Sequence, residues 1–332
     1  MRVLPIGGFL GTVRALVVMG TLLALLVWAA PGATAQTGGM VYALNDSNEL
    51  LVFDRSDPGQ IDFRLDITDM AAGENIVGID FRPDTDELFA LGSASTIYNI
   101  DPQTGAADAV GGQFTPALEG TAFGFDFNPT VDRIRVVSDT GQNLRLNPDT
   151  GLIGSDPETD EPTVDGTLAY AEGDENEGAQ PRAVGAGYTN SVPDADETTL
   201  YDIDSGLGVL VTQDPPNDGT LNTVGPLGVS TTDNVGFDVA ADDDDTALAA
   251  LQPGAGQPSS LYQIDLSSGA ATGTGTIGSG ETVTGLAIPA TEIMLIPETG
   301  GISPVAILLL AGGGVLLALA GFVLVIRRGL TG

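Results

Sequence analysis

The 332-residue sequence has no cysteine and no histidine, and since all 11 of its basic residues are arginine it has no lysine either. Each absence removes a class of chemistry. Without histidine there is no Ser-His-Asp triad and no imidazole-ligated zinc. Without cysteine there is no thiol nucleophile, and without lysine there is no Schiff base or lysine-tipped phosphate loop. What remains for catalysis is carboxylate chemistry, either paired acids or hard-cation sites. No disulfide is available, so a core of this length must hold by burial and strand pairing.

Acid is abundant. The chain carries 45 carboxylates and a formal net charge of −34. All the carboxylates lie between Asp46 and Glu298, a span that holds seven of the arginines and so carries −38. Such a surface repels nucleic-acid phosphates and anionic lipid heads, so nucleic acid is excluded as a partner. Aromatic residues are only 5 % of the chain, yet hydrophobic residues reach 42 %, too many for a disordered acidic polymer.

The two ends read as targeting segments. Arg2 and Arg14 form a basic region, Leu16 to Ala30 is uncharged and mostly apolar, and Ala33-Thr34-Ala35 has the small-x-small spacing of a signal-peptidase site. Residues 1–35 are predicted to be a signal peptide cut after Ala35. At the other end the uncharged run of residues 302–326 precedes Arg327-Arg328. At ~1.5 Å per residue it is long enough to span a ~30 Å hydrocarbon core as a tilted helix. The arginines of residues 327–332 then stay cytoplasmic and the domain faces outward. Residues 291–301 are the stalk, and within them Ile296-Pro297-Glu298-Thr299-Gly300 resembles a Leu-Pro-x-Thr-Gly cell-wall sorting signal. That resemblance implies a sortase as partner, cutting between Thr299 and Gly300. Ile296 stands where the signal has leucine, and the alternative is a plain membrane anchor. The expected location is therefore cell membrane or cell wall, with the domain extracellular.

Between the ends the sequence repeats. Val77-Gly78-Ile79-Asp80-Phe81 recurs as Phe123-Gly124-Phe125-Asp126-Phe127 and Val235-Gly236-Phe237-Asp238-Val239, with looser copies at Val184-Gly185-Ala186 and Thr284-Gly285-Leu286. The repeated glycines are 46, 61, 51 and 49 residues apart. That period matches a four-stranded propeller blade of ~40–50 residues. The longer step holds an acidic insertion around Asp156 to Gln180. Later in each unit come phrases such as Tyr98-Asn99-Ile100-Asp101 and Tyr262-Gln263-Ile264-Asp265, closing on Thr104-Gly105 and Ser268-Gly269. Aspartate accepts backbone N–H bonds and glycine takes positive φ, so these phrases end strands in tight turns. Residues 41–54 read as middle strands that lack a first strand, and Thr284 to Pro289 as a first strand that lacks the rest. Joined, they close a ring and remove exposed sheet edges. The expectation is an all-β propeller of about five four-stranded blades over residues 36–290, or six if the insertion hides one, plus the one C-terminal transmembrane helix.

The Gly-Ile-Asp-Phe-Arg-Pro and Tyr-x-Ile-Asp-x-x-Thr-Gly phrases resemble an uncharacterised bacterial family, the domain-of-unknown-function family 4394, over about residues 40–290. The resemblance implies a secreted propeller-like fold and carries no known activity or catalytic residues.

Two acidic constellations stand out. Asp80, Asp126 and Asp238 occupy one position in three repeats, on strands that line a propeller's axis. They are either oxygen ligands for Ca²⁺, the one cofactor the sequence suggests, or anchors that hydrogen-bond neighbouring backbone. Asp242-Asp243-Asp244-Asp245, with the clusters Glu158 to Asp165 and Glu172 to Glu177, reads as solvated loop charge. No catalytic residue is assigned. Three functions remain: a surface binding module for a glycan or protein ligand, a calcium-dependent propeller enzyme using channel carboxylates, and an acidic surface coat.

Overall fold

The structure is a computed structural model and describes residues 39–154, 164–241 and 246–290. Chain order gives β1 (Met40–Asn45), β2 (Glu49–Asp54) and β3 (Ile61–Asp66), then β4 (Ile76–Phe81), β5 (Leu88–Gly92), β6 (Thr96–Ile100) and β7 (Ala107–Val110). Next come β8 (Phe123–Asn128), β9 (Arg133–Ser138), β10 (Asn143–Leu146) and the short β11 (Ala169–Tyr170). Strands β12 (Ala183–Tyr188), β13 (Leu200–Asp204), β14 (Val209–Gln213) and β15 (Thr220–Pro226) follow. The last are β16 (Val235–Val239), β17 (Ala247–Leu251), β18 (Ser260–Ile264), β19 (Ala271–Thr276) and β20 (Val283–Ala287). A single 3₁₀ turn, Pro216–Asp218, is the one helical element among the described residues.

These strands form five separate sheets. Blade one is β20-β1-β2-β3, blade two β4 to β7, blade three β8 to β10, blade four β12 to β15 with β11 outside, and blade five β16 to β19. The five first strands β4, β8, β12, β16 and β20 each touch the next, and β20 touches β4, so the ring is closed. The closure is the one expected from sequence: β20 pairs antiparallel with β1, setting Ala287 opposite Tyr42 and Leu286 opposite Ala43.

The cores lie between the blades. On β1, Tyr42 and Leu44 pack with Ile79 and Phe81 of blade two, whereas Val41 and Ala43 pack with Leu248 and Leu261 of blade five. The period-2 alternation thus feeds two different interfaces rather than one core face and one solvent face. This is why β1, β5 and β17 are nearly continuous apolar runs. The outermost strands alternate instead: in β3, Ile61, Phe63 and Leu65 turn inward between exposed Asp62, Arg64 and Asp66. The turn glycines also seat one blade on the next. At Gly151 (φ +68°) an added Cβ falls 2.0 Å from the Val110 carbonyl oxygen at the end of β7, so both the conformation and the space demand glycine.

The five blades stand, but a uniform count of four strands does not. After β10 the chain makes a single bridge, Leu146 to Ile153, and later crosses to blade four, where β11 pairs parallel to β15. Blade three therefore has three described strands and blade four has five. The insertion hides no sixth blade among the described residues. Tyr201-Asp202-Ile203-Asp204 is a further departure. It reads like the third-strand phrase of the other repeats, yet β13 pairs with β12 as a second strand.

Two charge assignments also change. Asp165, expected as solvated, is 3 % exposed at its side chain and ion-paired with Arg135 and Arg145. Asp174, expected likewise, accepts the Thr223 N–H at 2.7 Å and its hydroxyl at 2.8 Å. The signal peptide with Ala35, the stalk with Thr299 and Gly300, the membrane helix and the basic tail lie outside the described residues. So do Asp242 to Asp245. Among the described residues no helix is long and apolar enough to cross a membrane.

Candidate functional site

The ring brings Asp80, Asp126 and Asp238 together. Each is the next-to-last or third-last residue of a first strand, and each is only 2–4 % exposed. Oxygens from the three carboxylates lie within 4.8 Å of one another, a spacing that also suits a small oxygen-ligated cation.

What these carboxylates touch is backbone. Asp80 accepts the N–H of Phe127 on β8 at 2.8 Å, Asp126 that of Tyr188 on β12 at 2.9 Å, and Asp238 that of Ile288 just after β20 at 2.6 Å. Each aspartate thus ties its own first strand to the next blade's first strand. The equivalent positions in blades four and one are Gly187 and Ala287, which have no acceptor to offer blades five and two. There the receiving aspartate turns back on its own strand: Val239 N–H donates to Asp238 at 2.6 Å and Phe81 N–H to Asp80 at 2.7 Å. Three carboxylates therefore satisfy five buried N–H groups around the axis, each of which is costly to leave unpaired.

Electrostatics follows from burial. Desolvation pushes all three carboxyls up from the ordinary carboxylate range, and mutual repulsion adds to it for Asp80 and Asp126. Three carboxylates this buried and this close do not all carry charge together, so the cluster either holds protons or is a cation site in which metal replaces them.

Access is narrow. Two residues before each aspartate stands the repeated glycine, and these glycines with Gly185 and Gly285 form a layer around the axis. The free volume in that layer is about 10 Å³, no more than one water needs. The close approach explains the glycine: a Cβ on Gly236 falls 2.6 Å from the Gly285 carbonyl carbon. A substrate therefore cannot come to the carboxylates along the axis from that end.

The residue paired with each aspartate position also repeats a role. Tyr42 meets Phe81 edge-on at 5.0 Å between ring centroids, and Phe89 meets Phe127 at 5.2 Å. At the third interface Arg135 takes the aromatic's place, with Nε 3.5 Å from the Tyr188 hydroxyl. Arg135 is 2 % exposed and donates to Asn143 at 2.6 Å, Asp165 at 2.7 Å and Asn217 at 2.8 Å. Gln213 joins the network through Asn143 and the Pro216 carbonyl. Nearby, Asp202 is fully buried and neither of its oxygens has a hydrogen-bond partner. Desolvation raises it to about 8, opposed by Arg135 and aided by Asp204.

Beside this network, between blades three and four, an open cleft of about 460 Å³ runs past Asn128, Tyr188, Thr199, Gln213 and Asp214. Sequence reasoning located the axial aspartates from their repeat position. It missed Arg135, Asp202 and the cleft, all of which lie where the repeat breaks.

The sequence profile of the family described as "Domain of unknown function (DUF4394)" matches residues 49–287. The chain belongs to this family. The matched stretch runs from β2 to β20 and so contains every first strand of the DUF4394 ring and all three axial aspartates. Structural similarity extends to the hydrazine synthase of Kuenenia stuttgartiensis, at 15 % identity and a TM-score of 0.34, over 63 % of this chain and 49 % of that one. The chain thus spans about half the length of that synthase chain. A chain of a Nidogen/Laminin complex is similar at 16 % identity and a TM-score of 0.39, over 76 % of this chain and 98 % of that one. Neither likeness carries a functional argument. No curated protein matches the chain.

Proposed function

We propose that this chain is a non-catalytic, surface-displayed β-propeller that works as an interaction module. It is exported by residues 1–35, held at the membrane by residues 302–326, and cut by a sortase at Thr299–Gly300 where that enzyme is present. The observation that carries the reading is the state of the axis. The converging carboxylates are sealed behind a glycine layer and engaged by strand N–H groups. A general acid or base must come within hydrogen-bond reach of its substrate, and these have no path to one through the glycine end of the axis. With histidine, cysteine and lysine also absent, recognition by the outer surface is the function best supported. The test is a binding screen of the full chain against cell-surface glycans and proteins. A saturable ligand supports the reading, and a screen with none argues against it.

A second reading has its own observation. Three carboxylates within 4.8 Å are a starting set for Ca²⁺, which takes ~6–8 oxygen ligands. On that reading calcium replaces the protons and stiffens the ring, or serves a propeller enzyme. Metal analysis of the purified chain decides between the two.

A further inference from the structure

We infer that a second cavity between blades three and four, lined by arginine, is a binding site for a compact oxyanion, the acid group of an anionic ligand. The inference rests on the interaction-module reading and gives that module a partner chemistry. The cavity is about 130 Å³, a size for one acid group, since a drug-sized ligand takes ~300 Å³ or more. Arg133 and Arg135 of β9 and Arg145 of β10 line it, with Asn128 and Tyr188 at the ends of β8 and β12 and Asn217 in the 3₁₀ turn. Exposed Val131 also lines it, so the cavity opens to solvent there. Asn128 and Tyr188 border the larger cleft as well, which leaves room for the rest of a ligand.

The charge here is of the chain's rarer sign. The span from Asp46 to Glu298 has seven arginines against 45 carboxylates, yet three of the seven meet at this cavity and no carboxylate among the described residues lines it. Asp165 pairs with Arg135 and Arg145 from behind. Arg64, Arg82 and Arg182 elsewhere on the ring hold carboxylates too. Arg133 differs. Its Nη1 donates to the Val131 and Asp132 carbonyls, the latter at 2.8 Å, and no described carboxylate pairs with it. Its charge is left for a ligand.

An independent observation lies at the inner wall. Arg135 is 2 % exposed. Its Nε and both Nη1 donors are spent on Tyr188, Asn143 and Asp165, but Nη2 gives one N–H to Asn217 and has no acceptor for the other among the described residues. The acceptors beside it are taken: Asn217 Oδ1 by Arg135 itself, and Asn128 Oδ1 by the N–H and hydroxyl of Thr130. The cavity is thus rich in donors and short of acceptors. A ligand that brings negative charge and several acceptor oxygens complements it, through the paired contacts that guanidinium groups make with oxyanions. A cation is repelled by Arg133, and a neutral sugar leaves that charge uncompensated. The acidic domain as a whole repels anions at long range, so an anion that binds is held by local contacts and not by diffuse attraction.

The experiment uses the full chain in detergent, titrated calorimetrically with sodium sulfate, sodium glucuronate and maltotriose. Sulfate or glucuronate is expected to bind saturably and maltotriose is not, and the tighter acid tells whether the site takes a tetrahedral or a planar group. Arg133→Gln removes a charge that only backbone carbonyls of its own turn hold, and is expected to weaken binding about tenfold. Asn217→Asp keeps an oxygen for Arg135 but sets a carboxylate in the cavity, and is expected to weaken binding at least as much. Arg64→Gln, a charge removed from blade one, is expected to leave it unchanged. Full binding in both cavity variants overturns the inference, as does equal weakening by Arg64→Gln or a preference for maltotriose. If neither acid binds while the wider screen finds a partner, the inference fails and the interaction reading survives. If neither experiment finds a ligand, both fail.

Discussion

Replacing Asp202 by asparagine is expected to remove a pH penalty that the wild-type ring carries. Asp202 is fully buried between blades three and four, and neither carboxylate oxygen has a hydrogen-bond partner. Burial is the main cause of its rise from 3.8 to about 8, with Arg135 opposing and Asp204 assisting. The folded state therefore holds this proton more tightly than the unfolded chain does. Stability from this group is intact below the unfolded value and is lost as pH climbs from about 4 to about 8. At about 1.4 kcal/mol per pH unit the loss is capped at roughly 6 kcal/mol, and water penetration and relaxation reduce it to about half of that. Asparagine keeps the shape and never ionises. Urea denaturation of both proteins at pH 5 and pH 9, in constant salt, measures the effect. Only the part of the loss between pH 5 and about 8 falls inside this window, so the variant's stability relative to wild type is expected to improve by about 2 kcal/mol between the two pH values. Any constant cost of burying an amide cancels in that difference. An unchanged difference would refute the claim that Asp202 is buried and protonated.

The other predictions concern the ring itself. Gly236→Ala drives a Cβ into the backbone of β20 at 2.6 Å, whereas Gly285→Ala meets nothing nearer than the Leu44 Cβ at 3.3 Å, with the nearest backbone atom, Ile79 N, at 3.6 Å. Thermal melts should therefore show the first variant less stable than the second by about 1–3 kcal/mol. Asp126→Ala removes the acceptor for Tyr188 N–H and is expected to cost about 1–3 kcal/mol, while Asp126→Asn, which keeps an acceptor, costs less in the same denaturation assay. Arg135→Leu takes one donor each from Asp165, Asn143 and Asn217, leaving Asp165 to Arg145 and Asn143 to Gln213, and is expected to cost about 3 kcal/mol by equilibrium unfolding.

Much of the ring was legible because its constraints recur. The glycines at 78, 124, 185 and 236 each meet the neighbouring blade within 2.6–2.8 Å of where a Cβ would stand, and Gly285 repeats the position with a looser contact, so their spacing reveals the number of blades. The ring closure was legible because residues 41–54 and 284–289 are incomplete in complementary ways. The aspartates at 80, 126 and 238 were visible as a set. Their two alternatives, backbone anchor and cation ligand, differ by no sequence feature, since both need one carboxylate per strand. The remainder was hidden where the repeat fails. Asp202 sits in a phrase that resembles a third strand, and only pairing with β12 reveals it as a second strand facing a buried interface. Asp165 lies in a run of acids that reads as solvated, and its burial depends on Arg135, 30 residues earlier. Arg135 itself holds a place that aromatics fill at two other interfaces, a substitution that composition does not announce.

The central claim is that the axial carboxylates join the first strands by accepting their N–H groups and hold protons. Metal content and melting temperature of the full chain at neutral pH, with calcium and after chelation, test it most directly. The account predicts no tightly held metal and the same melting temperature in both conditions. Stoichiometric calcium, with a raised melting temperature that disappears in Asp126→Asn, would contradict it.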